Sequence, residues 1–306
     1  MSIKKYMLFL SYDKDGFYDY YRSLDSRVTV LPIFKSDHFL LRVLRSFFLR
    51  FNFKIDIFLG SWHKNINQYD CVILPASLYS KIIANSIDAI NQEKLVHWYW
   101  NPVSKSISPQ LIVNNRSLVL SFDDADCEKY GLTYQETYYF SQVSLPVLPV
   151  EYDLLFVGAD KQRATFLNGL GRKLTKLGIT YNFHVVWDDT STNKDLGYMG
   201  RITYSDMLPM ISKCKALLDI PQAGQNGLTQ RPLESIFLQR KLITTDATVK
   251  LRDFYNENNV FILDLDDLGA LPNFLSTSFS PVDPEIVKKY SFCSWVGSVL
   301  KKRAHY

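Results

Sequence analysis

KALLDIPQAGQNGLTQRPLESIFLQRKLITTDATVKLRDFYNENNVFIL, Lys215 to Leu263, reads as strand, glycine loop, helix and two further strands in one short stretch. Ala216 to Ile220 is of strand length, Gly224 and Gly227 lie in the loop behind it, and Pro232 to Arg240 carries helical spacing. Apolar runs return at Lys241 to Thr245 and Val260 to Leu263. Alternation of this kind builds βα units on a parallel sheet. A helix that opens on a glycine loop offers unpaired N–H donors and the positive end of its dipole, which suits a phosphate. Arg231 could add a bidentate bond to a diphosphate, and Glu234, one turn on, could accept from two vicinal ribose hydroxyls. The same pair also reads as an ordinary solvated helix pair, and two glycines alone are a weak motif.

The alternation continues along the chain. Expected strands in the first half are Lys5 to Leu10, Val28 to Ile33, Ile55 to Leu59, Cys71 to Leu74, Leu95 to Tyr99 and Leu118 to Ser121, with a helix at Ser77 to Asn91. VSLPVLPVE, Val143 to Glu151, holds two prolines that keep the chain extended, and it reads as a linker. The second half restarts with the strand Leu154 to Val157 and continues through helices near Arg163 to Leu177 and Tyr204 to Lys213, with a strand at Tyr181 to Val186. A terminal helix begins near Pro284 and places Tyr290, Trp295, Val296 and Val299 on roughly one face. The expected fold class is α/β, with domains at 1–145 and 152–283 and a last helix, 284–306, returning to the first. A chain of 306 residues is comfortable for two cores.

Composition fits a soluble cytoplasmic protein, 47% hydrophobic and 22% charged. Cys71, Cys127, Cys214 and Cys293 are far apart, form no metal-ligand spacing and read as small hydrophobes in a reducing compartment. Tyr6 to Leu10 is only strand length and ends in Ser11-Tyr12-Asp13, so no secretory leader is expected, and no run is long enough to span a membrane. A net charge of +4 without a nucleic-acid motif gives no reason to expect a nucleic-acid partner.

Four segments of the second half, in order, resemble bacterial GT-B glycosyltransferases of the CgeB-like and capsular or exopolysaccharide type: YDLLFVGADKQRATFL (Tyr152 to Leu167), MGRITYSDMLPMISKCKALLDI (Met199 to Ile220), GQNGLTQRPLE (Gly224 to Glu234) and KLITTD (Lys241 to Asp246). SLVLSFDDADCEKYGLTYQETYYF, Ser117 to Phe140, is similar to the segment before the interdomain linker in polysaccharide-assembly members. The resemblance implies two facing Rossmann-like domains with parallel sheets. It also implies a nucleotide-sugar donor, as co-substrate and not as bound cofactor, on the second domain and a glycan or lipid-linked acceptor on the first. Large retaining families carry two glutamates eight positions apart. Counting back from Glu234 gives Asn226, so the glutamate near the sugar is replaced by an amide and the stereochemical outcome stays open.

Donor-site candidates are Gly158, Lys161, Arg163, Arg201, Gly224, Gln225, Asn226, Gly227, Leu228, Thr229 and Glu234. In FVGADKQR, Asp160 is the expected helix N-cap, while Lys161 and Arg163 oppose the dipole unless an anion binds nearby. The absence of GxGxxG spacing there weighs against a nicotinamide-dependent oxidoreductase. Gln222, Gln225, Asn226 and Thr229 suit hydroxyls, and Tyr198, Arg201, Ile202 or Tyr204 suit a base. Arg231 is the expected catalytic cation on the leaving diphosphate. A base for the acceptor hydroxyl must follow a first-domain strand: Asp13 is favoured, with Asp15, His63, Asp123 and Asp124 as alternatives. Neither the histidine spacing nor Asp123-Asp124 or Asp188-Asp189 makes a metal site, so none is expected. A second function class, a nucleotide- or sugar-binding protein without turnover, is kept open by Asn226 and by the lack of an evident base.

HFLLRVLRSFFLRFNFK, His38 to Lys54, stands apart, with more Phe and Leu than one core face needs beside Arg42, Arg45, Arg50 and Lys54. Such a helix fits peripheral contact with the inner face of a cell membrane, or a core helix packed on two sides.

Overall fold

The computed structural model describes residues 6–12, 15–36, 38–51, 53–87, 89–112, 117–191 and 197–306. The chain divides into two compact units, 1–137 with 292–306, and 138–291. In the first, β1 (Met7–Ser11), β2 (Val28–Pro32), β3 (Cys71–Pro75), β4 (Leu95–Tyr99), β5 (Leu118–Ser121) and β6 (Thr133–Tyr134) form a parallel sheet in the order β2-β1-β3-β4-β5-β6. The helices between them are α1 (Phe17–Ser23), α2 (Phe39–Arg50), α3 (Ser80–Asn85), α4 (Ala89–Gln92) and α5 (Asp124–Tyr130). Every residue of β1, β3, β4 and β5 is buried. That is why these strands are nearly continuous apolar runs, as expected for a parallel sheet covered on both faces.

The second unit holds β7 (Tyr152–Ala159), α6 (Ala164–Lys176), β8 (Tyr181–Val186), α7 (Tyr204–Ser212), β9 (Cys214–Asp219), α8 (Gln230–Leu238), β10 (Lys241–Thr244), β11 (Val260–Ile262), α9 (Leu271–Ser276) and α10 (Pro284–Lys289). Its parallel sheet runs β11-β10-β9-β7-β8. The chain leaves β7 for β8 on one side, then returns to β9 on the other, so the loops after β7 and β9 part at the carboxyl ends of these strands. A crevice at such a switch point is where open α/β sheets bind ligands. Leu154, Phe156, Leu167, Leu174, Ala216, Leu218 and Ile243 build the core below it.

Three sequence expectations are corrected. Ile55 to Leu59 is no strand: Asp56–Phe58 is a 3₁₀ turn, and Ile55, Phe58 and Leu59 are buried while Ile57 is exposed. That is spacing i, i+3, i+4, a helical period where strand was expected. The helix expected from Ser77 to Asn91 is two short ones, α3 and α4. The terminal helix breaks at Tyr290, leaving α10 in the second unit, whereas α11 (Phe292–Ala304) belongs to the first. Within that first unit Trp295 packs on Trp98 and Phe9, with ring centroids 5.5 and 6.1 Å apart.

His97, in the middle of β4, is fully buried with neither ring nitrogen hydrogen-bonded among the described residues, and burial pushes its pKa down to about 4. The unfolded chain therefore binds a proton that the fold refuses between about pH 6.5 and 4, and stability falls as pH falls through that window. His97→Leu should flatten this part of the acid limb, recoverable as the difference between parent and variant unfolding midpoints from pH 7 to 4. A constant difference would show that His97 does not titrate on unfolding.

Candidate functional site

Two loops of the 138–291 unit meet the switch-point crevice, and side chains that tie backbone together hold each of them. After β7 the chain turns through Lys161 and Gln162, which are both left-handed, with φ of 43° and 66°. For residues with a Cβ this costs about 1–2 kcal/mol each. Such backbone persists only where its surroundings fix it. Here the Asp160 N–H donates to Val186 O and the Lys161 N–H to Asp188 Oδ2, both at 2.8 Å. The Asp160 carboxylate accepts from the Ala164 N–H at 2.8 Å and from the Tyr198 hydroxyl at 2.6 Å. Asp160 thus caps the first N–H of α6, although Arg163 occupies the cap position itself. Burial disfavours its charge, yet Tyr198 and the backbone donors outweigh this and hold its pKa below the usual value.

Arg163 is a strut between the two loops. Its Nη2 donates to Ala159 O at 2.5 Å, Nε to Asp160 O at 3.1 Å and Nη1 to Ile220 O at 2.5 Å, joining the end of β7 to the end of β9. Burial pulls its pKa down, with Asp219 acting in the opposite direction. The Arg163 guanidinium is thus committed to backbone carbonyls. Gly158 is explained by the same group: a Cβ there would stand 3.2 Å from Nη2 and 3.3 Å from the Phe156 ring. The glycine makes room for Arg163.

Past β9, Gly224 is left-handed with φ of 80° and has open space beside it. Gln222 Nε2 donates to Gln225 Oε1, and Gln225 Nε2 to Gly227 O, each at 3.2 Å, so these amides shape the loop. Asn226 is exposed, whereas Gly227 and Leu228 are buried, Leu228 as part of the core. Thr229 is the N-cap of α8: its Oγ1 accepts from the Arg231 N–H at 3.3 Å and donates to Asp219 Oδ1 at 2.8 Å. Thr244 donates to the other oxygen of Asp219 at 3.0 Å. Burial raises Asp219 to a pKa of about 6, against the pull of Thr229, Thr244 and Arg231.

Glu234, expected to be exposed on its helix, is 0% exposed and accepts from Arg231 Nη1 and from the Tyr204 hydroxyl. Tyr139 extends the chain, with its hydroxyl 2.8 Å from that of Tyr204. Arg231, with an 18% exposed side chain, also donates from Nη2 to Val157 O at 2.8 Å. Burial works against its charge, but Glu234 and Tyr204 outweigh it and hold Arg231 firmly protonated. Glu234 sits on the inward face of α8 between Leu233 and Ser235, which are buried as well, and its carboxylate belongs to an internal network.

Lys161, Gly224, Asn226 and Arg201 remain at the surface. Tyr198 spends its hydroxyl on Asp160 and meets the half-exposed Trp187 edge-on at 5.0 Å. Sequence reasoning missed Trp187, although an aromatic just past a β-strand was a signal for a base-stacking surface. It missed Asp219 too, whose signal was a carboxylate closing the apolar run Ala216 to Asp219.

In the first unit, Asp13 lies outside the described residues. The alternatives occupy ordinary posts. Asp15 accepts from the Phe17 N–H at 3.0 Å, Asp123 caps α5 by accepting from Ala125 and Asp126, and Asp124 begins that helix. His63 Nδ1 lies 2.8 Å from Gly60 O. A cavity of about 220 Å³ opens where β1, β3 and β4 end, walled by Phe9, Tyr18, Trp98 and Trp100 with the hydroxyl residues Ser11 and Tyr12. Among the described residues no group of three or more His, Cys, Asp or Glu side chains is placed to hold a metal.

Asp219 gives this site a pH signature. Between about pH 4 and 6 the folded unit keeps a proton that the unfolded chain releases, so this carboxyl lowers stability as pH rises through that range, by about 3 kcal/mol in all. Asp219→Asn should remove that loss. The gap between variant and parent unfolding midpoints should widen from pH 4 to 6 and stay constant above. A gap of unchanged size across the range would mean that Asp219 is ionised throughout.

No model of a known protein family matches the sequence, and no curated protein matches it at a significant level. Solved structures do. The DNA-modifying enzyme β-glucosyltransferase, solved with and without its substrate uridine diphosphoglucose, matches over 98% of this chain and 96% of its own at 11% identity and a TM-score of 0.50. Sucrose-phosphate synthase of Thermosynechococcus elongatus matches over 97% of this chain and 98% of its own, at 11% identity and a TM-score of 0.60. At such identity the likeness establishes the fold alone, which is two parallel-sheet α/β units of the GT-B type.

Proposed function

We propose that the protein is a glycosyltransferase that moves a sugar from a nucleotide-sugar donor to a glycan, oligosaccharide or lipid-linked acceptor in cell-surface glycan assembly, as in CgeB-like and capsular enzymes. The observation that carries the reading is the crevice between the β7 and β9 loops, where the N-termini of α6 and α8 follow two loops locked by buried side chains. The positive end of a helix dipole favours a diphosphate as a leaving group, since a fixed dipole acts without reorganising. The uridine diphosphoglucose of one structural neighbour is a ligand of this chemical class.

In this reading the positive end of α8, the Gly224 to Thr229 loop and Lys161 take the diphosphate. Arg163 and Arg231 act behind them as positioning cations, Arg231 adding positive potential as the diphosphate charge grows. Trp187 offers its half-exposed face to the base, with Arg201 nearby in sequence. The aromatic-walled cavity of the first unit takes the acceptor, and Asp13, two positions beyond Ser11, serves as the base. Neither a metal nor a bound cofactor is required. The site of action is the cytoplasm, at the inner face of the membrane.

Calorimetry with a panel of nucleoside diphosphates and a nicotinamide dinucleotide tests the donor class. One nucleoside diphosphate should bind well above the others, and preference for the dinucleotide would sink the proposal. A second reading, binding without turnover, is favoured by the Arg231–Glu234 pair, which neutralises itself inside the protein. Release or transfer of sugar from the matching nucleotide-sugar separates the two.

A further inference from the structure

Helix α2 turns only a narrow stripe toward the core, where Leu49 and Phe48 pack. Arg45 and Leu49 are its buried residues, with the Arg45 guanidinium 3.8 Å from the Phe34 ring centroid and its Nη1 donating to Ser36 O at 3.2 Å. The apolar face looks outward: Phe39 is 63% exposed, Leu40 67% and Phe47 50%, with Val43, Leu44 and Phe51 exposed at helical spacing between and beyond them. Phe53 carries the surface past the helix end. The Phe47 ring lies 4.6 Å from that of Phe51 and 6.3 Å from that of Phe53, so the rings form one patch. A core helix packed on two sides, one of the two expectations for this segment, is excluded by these exposures.

We infer that this face of α2 is a docking surface for a bilayer containing anionic lipid. The charge pattern selects that occupant. From His38 to Ile55 the chain has Arg42, Arg45, Arg50 and Lys54 and no acidic residue. With Arg45 turned inward, Arg42, Arg50 and Lys54 remain exposed along the apolar patch. Phe and Leu side chains can enter the acyl boundary while guanidinium and ammonium groups stay among phosphates, which is how an amphipathic helix lies in an interface. A protein partner would need to cover this contiguous apolar patch and to supply acidic groups beside it. A bilayer offers both along any direction. Among the described residues no helix is long and apolar enough to cross a membrane, so the contact is peripheral. The inference stands on the surface of α2 and does not depend on sugar transfer.

Vesicle flotation of the full chain tests it, with phosphatidylcholine vesicles against vesicles that also hold phosphatidylglycerol. The parent should float with the anionic vesicles, less with neutral ones, and less again as salt rises. Each exposed cation near such a surface is worth about fivefold in partition, so Arg42→Gln with Arg50→Gln should lower it by about thirtyfold on anionic vesicles and little on neutral ones. Leu40→Ser with Phe47→Ser should abolish flotation on both while leaving the unfolding midpoint of the first unit unchanged, because both side chains face solvent. Failure of the parent to float overturns the inference. So does a dimer in solution that the Leu40 and Phe47 changes dissociate, which would assign the face to a second copy of the chain.

Discussion

Glu234→Ala should lower the unfolding midpoint of the 138–291 unit by on the order of 10 °C. The carboxylate is fully buried and accepts from Arg231 and Tyr204, so its removal strands a guanidinium that is itself mostly buried. Breaking one side of a buried pair costs about 3–5 kcal/mol, since the remaining charge keeps its desolvation penalty and loses its partner. For a unit of this size each kcal/mol moves the midpoint by about 2–4 °C. Differential scanning calorimetry, resolving the two units as separate transitions, gives the number. Glu234→Gln tests the cause. It keeps the shape and can still accept from Tyr204, but it leaves Arg231 without a counter-charge, so it should recover only part of the loss. A variant that melts with the parent and instead loses nucleoside diphosphate affinity would restore Glu234 to the ribose-binding role that its place in the sequence suggests.

The reversal at Glu234 marks where the sequence stops being legible. Strands β4 and β5 can be read to the residue, because a strand buried on both faces leaves a nearly unbroken apolar run of strand length. The alternation of βα units is legible for the same reason. Helix faces are less legible. Arg231 and Glu234 stand three apart in any reading, but whether that pair points to solvent or inward depends on Val157, Tyr204 and Tyr139, which come from distant parts of the chain. Helix α2 shows the same limit from the other side. Its pattern of Phe, Leu and Arg is plain, while the choice of Arg45 for the inward face is set by the Phe34 ring beneath it. The left-handed pair Lys161 and Gln162 has no sequence signature at all. Neither residue type favours that backbone, and the groups that impose it, Asp160 and Asp188, lie on either side of β8 in the chain.

If the protein is the sugar transferase proposed above, Arg163→Lys should cut donor turnover about a hundredfold, a loss that follows from what a guanidinium can hold together. Three nitrogens of Arg163 reach carbonyls of Ala159, Asp160 and Ile220, and the last of these belongs to the loop on the far side of the crevice. An ammonium on a flexible stem is a point donor and cannot span the same carbonyls in a fixed plane. The loop after β9 would then lose its tie to the loop after β7, and Lys161 and Gln162 would lose part of what holds them left-handed. A shift of the order of 1 Å in groups that position a reacting phosphate costs about a hundredfold in rate. Gly158→Ala should give a milder form of the same defect, since its Cβ would crowd the guanidinium from 3.2 Å. Arg172→Lys, on the exposed side of α6, is the matched control and should leave turnover intact. Steady-state kinetics with the matching nucleotide-sugar, paired with unfolding midpoints, decides the case. Full turnover by the Arg163→Lys variant at parental stability would show that the two loops keep their places without this strut. A loss of diphosphate affinity at unchanged stability would show that Arg163 lets go of its carbonyls and binds the anion directly.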